Sequence, residues 1–210
     1  MCAKTVNTTK KDQILSAALK LFNTSGFQVV TIQKVGEELG MSKGNVAYHF
    51  ANTGVMLQAI HQQMYQEMQG VIMPIRELNL SHLQLAFQQF RKFQGKYRFF
   101  FEDLAFICRK FPPLAEAHQR IVKQRQEEAE ALMTYFIGKG LMKPETWPGQ
   151  LASVVDTLWQ VLTFWPAREV VWQRQLPDQH LFHQIWSLLR PWLTEAGQQA
   201  YQRQIYPHIS

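Results

Sequence analysis

Four side chains able to recognise a polar surface stand close together in the stretch MSKGNVAYHF, residues 41–50: Lys43, Asn45, Tyr48 and His49. They offer an ammonium, a carboxamide, a phenol and an imidazole, interleaved with the small residues Gly44 and Ala47. That set suits hydrogen bonding to base edges and phosphates, and its small size suits entry into a DNA major groove. It does not suit bond-making. No Ser/His/Asp or Cys/His constellation, glycine-rich phosphate loop or CxxC occurs, and paired Glu-x-x-His motifs for a helical-bundle enzyme are absent. His180 and His183, at i and i+3, have the spacing of a metal pair but no third ligand at a suitable distance, so no metal or other cofactor is assigned. Glu127, Glu128 and Glu130 form a charge run that reads as a solvated helix face.

Elements to position the first cluster are written around it. Thr31 is a side-chain cap, and Ile32, Val35 and Leu39 recur at helical spacing behind it. Gly40 is a stop, because glycine takes a left-handed conformation at little steric cost. Ser42 then caps a second short helix. Two such helices joined by a glycine-containing turn predict a helix-turn-helix. The bland alternative is a short exposed helix in a plain bundle.

Upstream, Thr9 and Asp12 form a weak capping box. Ile14, Leu15, Ala18, Leu19, Leu21 and Phe22 predict a helix ending before Gly26. Phe22 and Phe27 should close a small core against Ile32, Val35, Val46 and Phe50, with Gly36 allowing close packing. Residues 1–8, with Lys4, read as an arm. Asn52 and Thr53 cap a long helix through Met56, Leu57, Ile60, Met64 and Met68, which Gly70 and Pro74 loosen or end.

From Leu78 the pattern is helical throughout. A helix from Ser81 stops at Gly95, and another runs from Tyr97 to Phe111 before Pro112-Pro113. A third begins near Leu114 and reaches Gly138. Trp147-Pro148 opens a helix whose apolar residues occupy so much of its circumference that burial on two faces is expected. Pro166 should end or kink it, Arg168–Gln175 continue as a short helix, and a last amphipathic helix follow Pro177-Asp178. The tail from Thr194 is polar. The fold class is therefore all-α: a three-helix headpiece at 1–54 and a larger helical domain at 55–210.

The 210 residues are 46% hydrophobic and 18% charged, enough for a substantial core, with net charge +6 and a pI near 9.4. In residues 1–54, Lys4, Lys10, Lys11, Lys20, Lys34 and Lys43 outnumber Asp12, Glu37 and Glu38 by three, half of the whole excess. A basic headpiece suits a polyanionic partner. Cys2 and Cys108 suggest no disulfide framework, no apolar run approaches ~18 residues, and no signal-peptide pattern opens the chain; the expected location is cytoplasmic.

ILSAALKLFNTSGF, TIQKVGEELGMSKGNVAYHF and the following MLQAI together resemble the TetR/AcrR family of transcriptional regulators, over about residues 10–60. PPLAEAHQRIVKQRQEEAEALMTYFIGKGLM resembles one branch of that family. The resemblance implies that Lys43, Gly44 and Asn45 start a recognition helix, with Lys43 reaching guanine and Asn45 adenine. It places Tyr48, His49 and Thr31 against phosphates, lets Gln33 reach a base, and puts Thr53 at a phosphate position. Two residues depart from the pattern: Ala47 stands where many relatives have Tyr, and Thr53 where many have Lys, which implies fewer phosphate contacts. The family also implies a homodimer through helices at about 148–166 and 178–193, a palindromic operator, and repression relieved by a small effector. Aromatic richness favours an apolar or aromatic effector, with Phe100, Phe101, Leu104, Phe136, Trp159, Phe164 and Trp165 as pocket residues. The alternative is an all-helical small-molecule binding protein whose headpiece contacts protein.

Overall fold

The computed structural model of the chain describes residues 9–69 and 78–209. The arm with Cys2 and Lys4, and the Gly70 and Pro74 stop, lie outside the described residues. Every regular element among the described residues is helical, and their one isolated extended pairing is a bridge between Met142 and Leu193. No helix of the described residues is long and apolar enough to cross a membrane. The chain forms two compact units: Met1–Gly70 with Tyr97–Leu114, and Val71–Lys96 with Ala115–Ser210.

In the first unit α1 (Lys10–Ser25) starts with the expected capping box. Thr9 Oγ1 accepts from the Asp12 N–H at 3.2 Å, and Asp12 Oδ2 accepts from the Thr9 N–H at 3.0 Å. Helices α2 (Ile32–Leu39) and α3 (Lys43–His49) follow, with Gly40 in the left-handed conformation between them. Ile14, Ala18, Phe22, Phe27, Val35, Val46 and Phe50 are buried together with Val30. Gly36 faces the turn so closely that a Cβ there would lie 2.6 Å from the Met41 carbonyl oxygen. The Met41 N–H donates to the Gly36 carbonyl at 2.8 Å, so the backbone of the turn sits directly on α2. Helix α4 (Thr53–Gln69) buries Met56, Leu57, Ile60, His61 and Met64.

This unit also takes α6 (Arg98–Glu102) and α7 (Leu104–Lys110), which follow α5 (Leu80–Lys96) in the chain. One helix from Tyr97 to Phe111 was expected; it breaks at Asp103 instead. Phe99, Phe100 and Phe101 all lie within α6 and are all buried, so this short helix is enclosed on more than one face. The following helix, α8 (Pro112–Gly138), begins close to Leu114 as expected and takes both prolines into its first turn, which needs no N–H from them.

In the second unit α5, α8, α9 (Gln150–Val171) and α10 (Asp178–Leu189) enclose a core of Phe87, Met133, Phe136, Val155, Leu158, Trp165, Ile185 and Trp186, among others. Helix α5 runs one residue past its expected stop at Gly95. Helix α9 passes through Pro166 without ending, and no separate helix forms at Arg168–Gln175. Proline has no N–H for the carbonyl of Leu162 four residues earlier. The buried Gln94 supplies that donor, its Nε2 lying 2.6 Å from the Leu162 oxygen. The polar tail from Thr194 is ordered. It folds as α11 (Glu195–Gln204) and α12 (Tyr206–Ile209), burying Ala200, Tyr201, Ile205 and Ile209. Thr194 anchors it, accepting from Gly197 at 3.1 Å and donating to the Gly140 carbonyl at 2.7 Å.

Candidate nucleic-acid interface

Helix α3 has one inward anchor. Val46 is fully buried, and the C-cap Phe50 is buried one turn further on. That fixes the opposite face as outward: Lys43, Gly44 and Asn45 are exposed, and the Tyr48 ring is 86% exposed. Ser42 sets the angle of the helix, its Oγ accepting from the Asn45 N–H at 3.2 Å. His49 is half-buried and meets the Tyr48 ring edge-on at 5.1 Å, which limits where that phenol can swing.

Helix α2 packs on α3 and begins at Thr31. Thr31 Oγ1 accepts from the Lys34 N–H at 3.2 Å and keeps its own proton to donate. Exposed Gln33 is engaged within its helix, its Nε2 donating to Glu37 Oε1 at 3.0 Å. That contact leaves the second N–H and the carbonyl oxygen of the amide to meet another group. Lys34 donates to the Val29 carbonyl at 3.0 Å, and Lys20 pairs with Glu38 at 2.6 Å. Lys43 has no ion pair among the described residues. Thr53 is half-buried at the first turn of α4, where Asn52 Oδ1 accepts from the Val55 N–H at 3.0 Å.

Sequence reasoning missed the segment that braces this unit from behind. The Phe99 N–H donates to Asn23 Oδ1 of α1 at 3.0 Å, and the Phe99 ring lies 5.1 Å from Phe22. Along α4 the contacts run antiparallel. Tyr97 donates to Glu67 Oε2 at 2.8 Å, Phe100 packs 5.5 Å from the His61 ring, and Phe111 reaches the first turn. There a Cβ on Gly54 would meet the Phe111 ring at 3.0 Å, and Phe111 also sits edge-on to Phe27 at 5.7 Å. A glycine in the first turn of a long helix was the one available signal. Burial holds the His61 imidazole below the ordinary histidine range.

The seven residues assigned to an effector pocket divide between the units. Phe100, Phe101 and Leu104 are buried in the first. Phe136 and Trp165 are buried in the second, where Trp159 is half-buried 5.7 Å from Phe90 and Phe164 is half exposed.

Two family models match the chain. One, described as bacterial regulatory proteins of the tetR family, covers residues 14–60; the other, described as bacterial transcriptional repressor, covers residues 60–201. A solved TetR-family regulator from Marinobacter aquaeolei VT8 is 22% identical with a TM-score of 0.83, covering 93% of this chain and 97% of that one. The fatty acid degradation regulator FadR of Bacillus halodurans is 15% identical with a TM-score of 0.63, over 89% and 95% of the two chains. The ketosteroid transcriptional regulator KstR2 of Mycobacterium tuberculosis is 17% identical with a TM-score of 0.60, over 93% and 100%. A comparison with curated protein sequences finds no match.

Proposed function

The chain belongs to the TetR family of transcriptional regulators, and on that premise we propose that it is a homodimeric, sequence-specific DNA-binding repressor released by a small-molecule effector. The observation that carries the proposal is the outward face of α3. Lys43, Asn45 and Tyr48 are exposed together on a helix anchored by the buried Val46 and Phe50. In this reading Lys43 and Asn45 read base edges, while Thr31, Tyr48, His49 and Thr53 hold phosphates. Gly44 keeps the helix start close to the groove, and Gln33 reaches a base. The functional division is a reading head at 1–54 and an effector and dimerisation part from 55 onward.

Dimerisation is supported by what α9 and α10 leave uncovered. Leu151, Val155, Leu158, Leu162 and Trp165 turn inward from α9, yet Phe164 and Val170 are half exposed and Val171 is 79% exposed. Leu188 of α10 is also exposed. Apolar residues on the second face of a helix favour a second copy of the same helix pair. A two-fold dimer sets two α3 helices in successive major grooves about 34–36 Å apart and selects a palindromic operator. Such a regulator acts in the cytoplasm.

The effector reading adds a refinement to an apolar or aromatic ligand. Gln94 Oε1, Arg125 Nε and Nη2, Thr163 Oγ1 and Trp165 Nε1 are buried in the second unit without a partner among the described residues. Buried polar atoms are nearly always satisfied. They favour an effector that joins an apolar body, stacked against Trp159 or Phe136, to hydrogen-bonding groups. The fatty acid and ketosteroid regulators among the similar structures are in keeping with a ligand of that kind. Effector binding acts only through its different affinity for two states of the protein, with α4 as the element that moves.

Selection of duplexes from a random pool by the purified protein tests this function. An enriched palindrome whose gel shift weakens with a small-molecule extract supports it. Enrichment of nothing above the starting pool contradicts it and leaves the alternative, a helical small-molecule binding protein whose headpiece meets protein.

A further inference from the structure

The weak point of the proposed interface is its charge. The family resemblance implies a phosphate position at Thr53, which carries no charge, and among the described residues the first turn of α4 has no acidic or basic residue. Yet the fold brings the end of another helix to that turn. Helix α7 ends in Arg109 and Lys110, both exposed, and the next residue is Phe111. The Phe111 ring lies against Gly54, where a Cβ would be 3.0 Å away. Lys110 Nζ in turn stands 5.9 Å from the centroid of the Phe111 ring and 5.3 Å from that of Phe106. Neither Arg109 nor Lys110 makes an ion pair among the described residues.

We propose that Arg109 and Lys110 form a phosphate clamp beside the start of α4, replacing the charge that Thr53 lacks. The inference rests on the DNA-binding reading above and deepens it. Phosphates on one strand recur every ~3.4 Å along the duplex axis, so a backbone held at Thr53 brings neighbouring phosphates alongside. A cation within a Debye length of about 8–10 Å still acts on them. Phe106 and Phe111 hold the exposed Lys110 ammonium by cation–π contact. The clamp adds affinity without base preference, because phosphate contacts position and do not specify.

A purely structural role is also available to the pair: two cations at a helix C-terminus favour the α7 dipole. That role predicts a change in stability and none in the salt dependence of DNA binding, so salt dependence separates the two. The experiment uses a labelled mixed-sequence duplex long enough for two half-sites, titrated with the full chain between about 50 and 200 mM salt. Relative to the unmodified protein, Arg109→Gln/Lys110→Gln should reduce the slope of log affinity against log salt by about 0.9 for every phosphate that the variant no longer neutralises. Lys123→Gln, which removes an exposed cation of α8 that pairs with Glu127 at 4.0 Å, should leave it unchanged. Adding Thr53→Lys to the double variant should restore about 0.9 per protomer. Should the double variant fail to fold, Lys110→Met removes the charge and keeps an apolar side chain of similar length beside Phe106 and Phe111. An unchanged slope in the folded variants overturns the clamp while leaving DNA binding intact. Absence of duplex binding by the unmodified protein overturns the DNA reading and the clamp with it.

Discussion

Gln94 Nε2 lies 2.6 Å from the carbonyl oxygen of Leu162, the one backbone acceptor of α9 that Pro166 leaves without its helical donor. A side chain of α5 thus completes the hydrogen-bond ladder of a neighbouring helix. Both ends are buried, so water cannot substitute. Gln94→Leu should lower unfolding free energy by about 1–3 kcal/mol, the cost of an unsatisfied buried acceptor. In a Pro166→Ala background the same substitution should cost clearly less, since the alanine N–H then serves Leu162. Denaturant unfolding of the four proteins checks the coupling; strictly additive losses would mean that Gln94 is not acting for Pro166.

Gly36 is a second position where one atom decides. A Cβ placed 2.6 Å from the Met41 oxygen must push the turn off α2. Gly36→Ala should cost about 1–3 kcal/mol and weaken duplex binding, because α3 loses its angle to α2. Thermal unfolding and DNA titration on one sample check both effects. Unchanged melting and binding would show that the turn has slack.

Acidification should weaken the first unit through His61. Burial favours its neutral imidazole, so its folded-state pKa lies below the unfolded value of about 6.5. Stability from this group is full above that unfolded value and is lost as pH falls through the folded one, because the unfolded chain takes up the proton more readily. Between about pH 7.5 and pH 5.5 the unmodified protein should lose more stability than His61→Gln. Equal losses would place the pH-sensitive group elsewhere.

The uncovered apolar face of α9 makes a claim about assembly. Phe164→Glu/Val171→Glu should shift the protein from dimer to monomer in sedimentation without altering its helical content. A dimer that persists would locate the interface on other surfaces.

The headpiece was the most legible part of the chain because its signals are local. Thr31, Gly40 and Ser42 act within a few residues of themselves, and Val35, Val46 and Phe50 mark one face each. What escaped reading depends on partners distant in sequence. The triple phenylalanine at 99–101 reads as ordinary core until Asn23 and Phe22 are seen waiting for it in α1. Pro166 reads as a break because nothing nearby reveals Gln94. The tail reads as polar because Ala200, Tyr201, Ile205 and Ile209 are sparse among glutamines, although they suffice once Thr194 fixes the chain. The outward side chains of α3 were legible as types and spacing, and the structure adds their common exposure.

Base readout by α3 is the centre of this account, and a base-substitution binding series on the selected operator measures it most directly. Lys43→Ala and Asn45→Ala should each lose about 1–3 kcal/mol and relax preference at one base position. Thr31→Ala and Tyr48→Phe should weaken all sequences nearly equally. Four variants with indistinguishable sequence profiles would contradict the assignment of Lys43 and Asn45 as the reading residues.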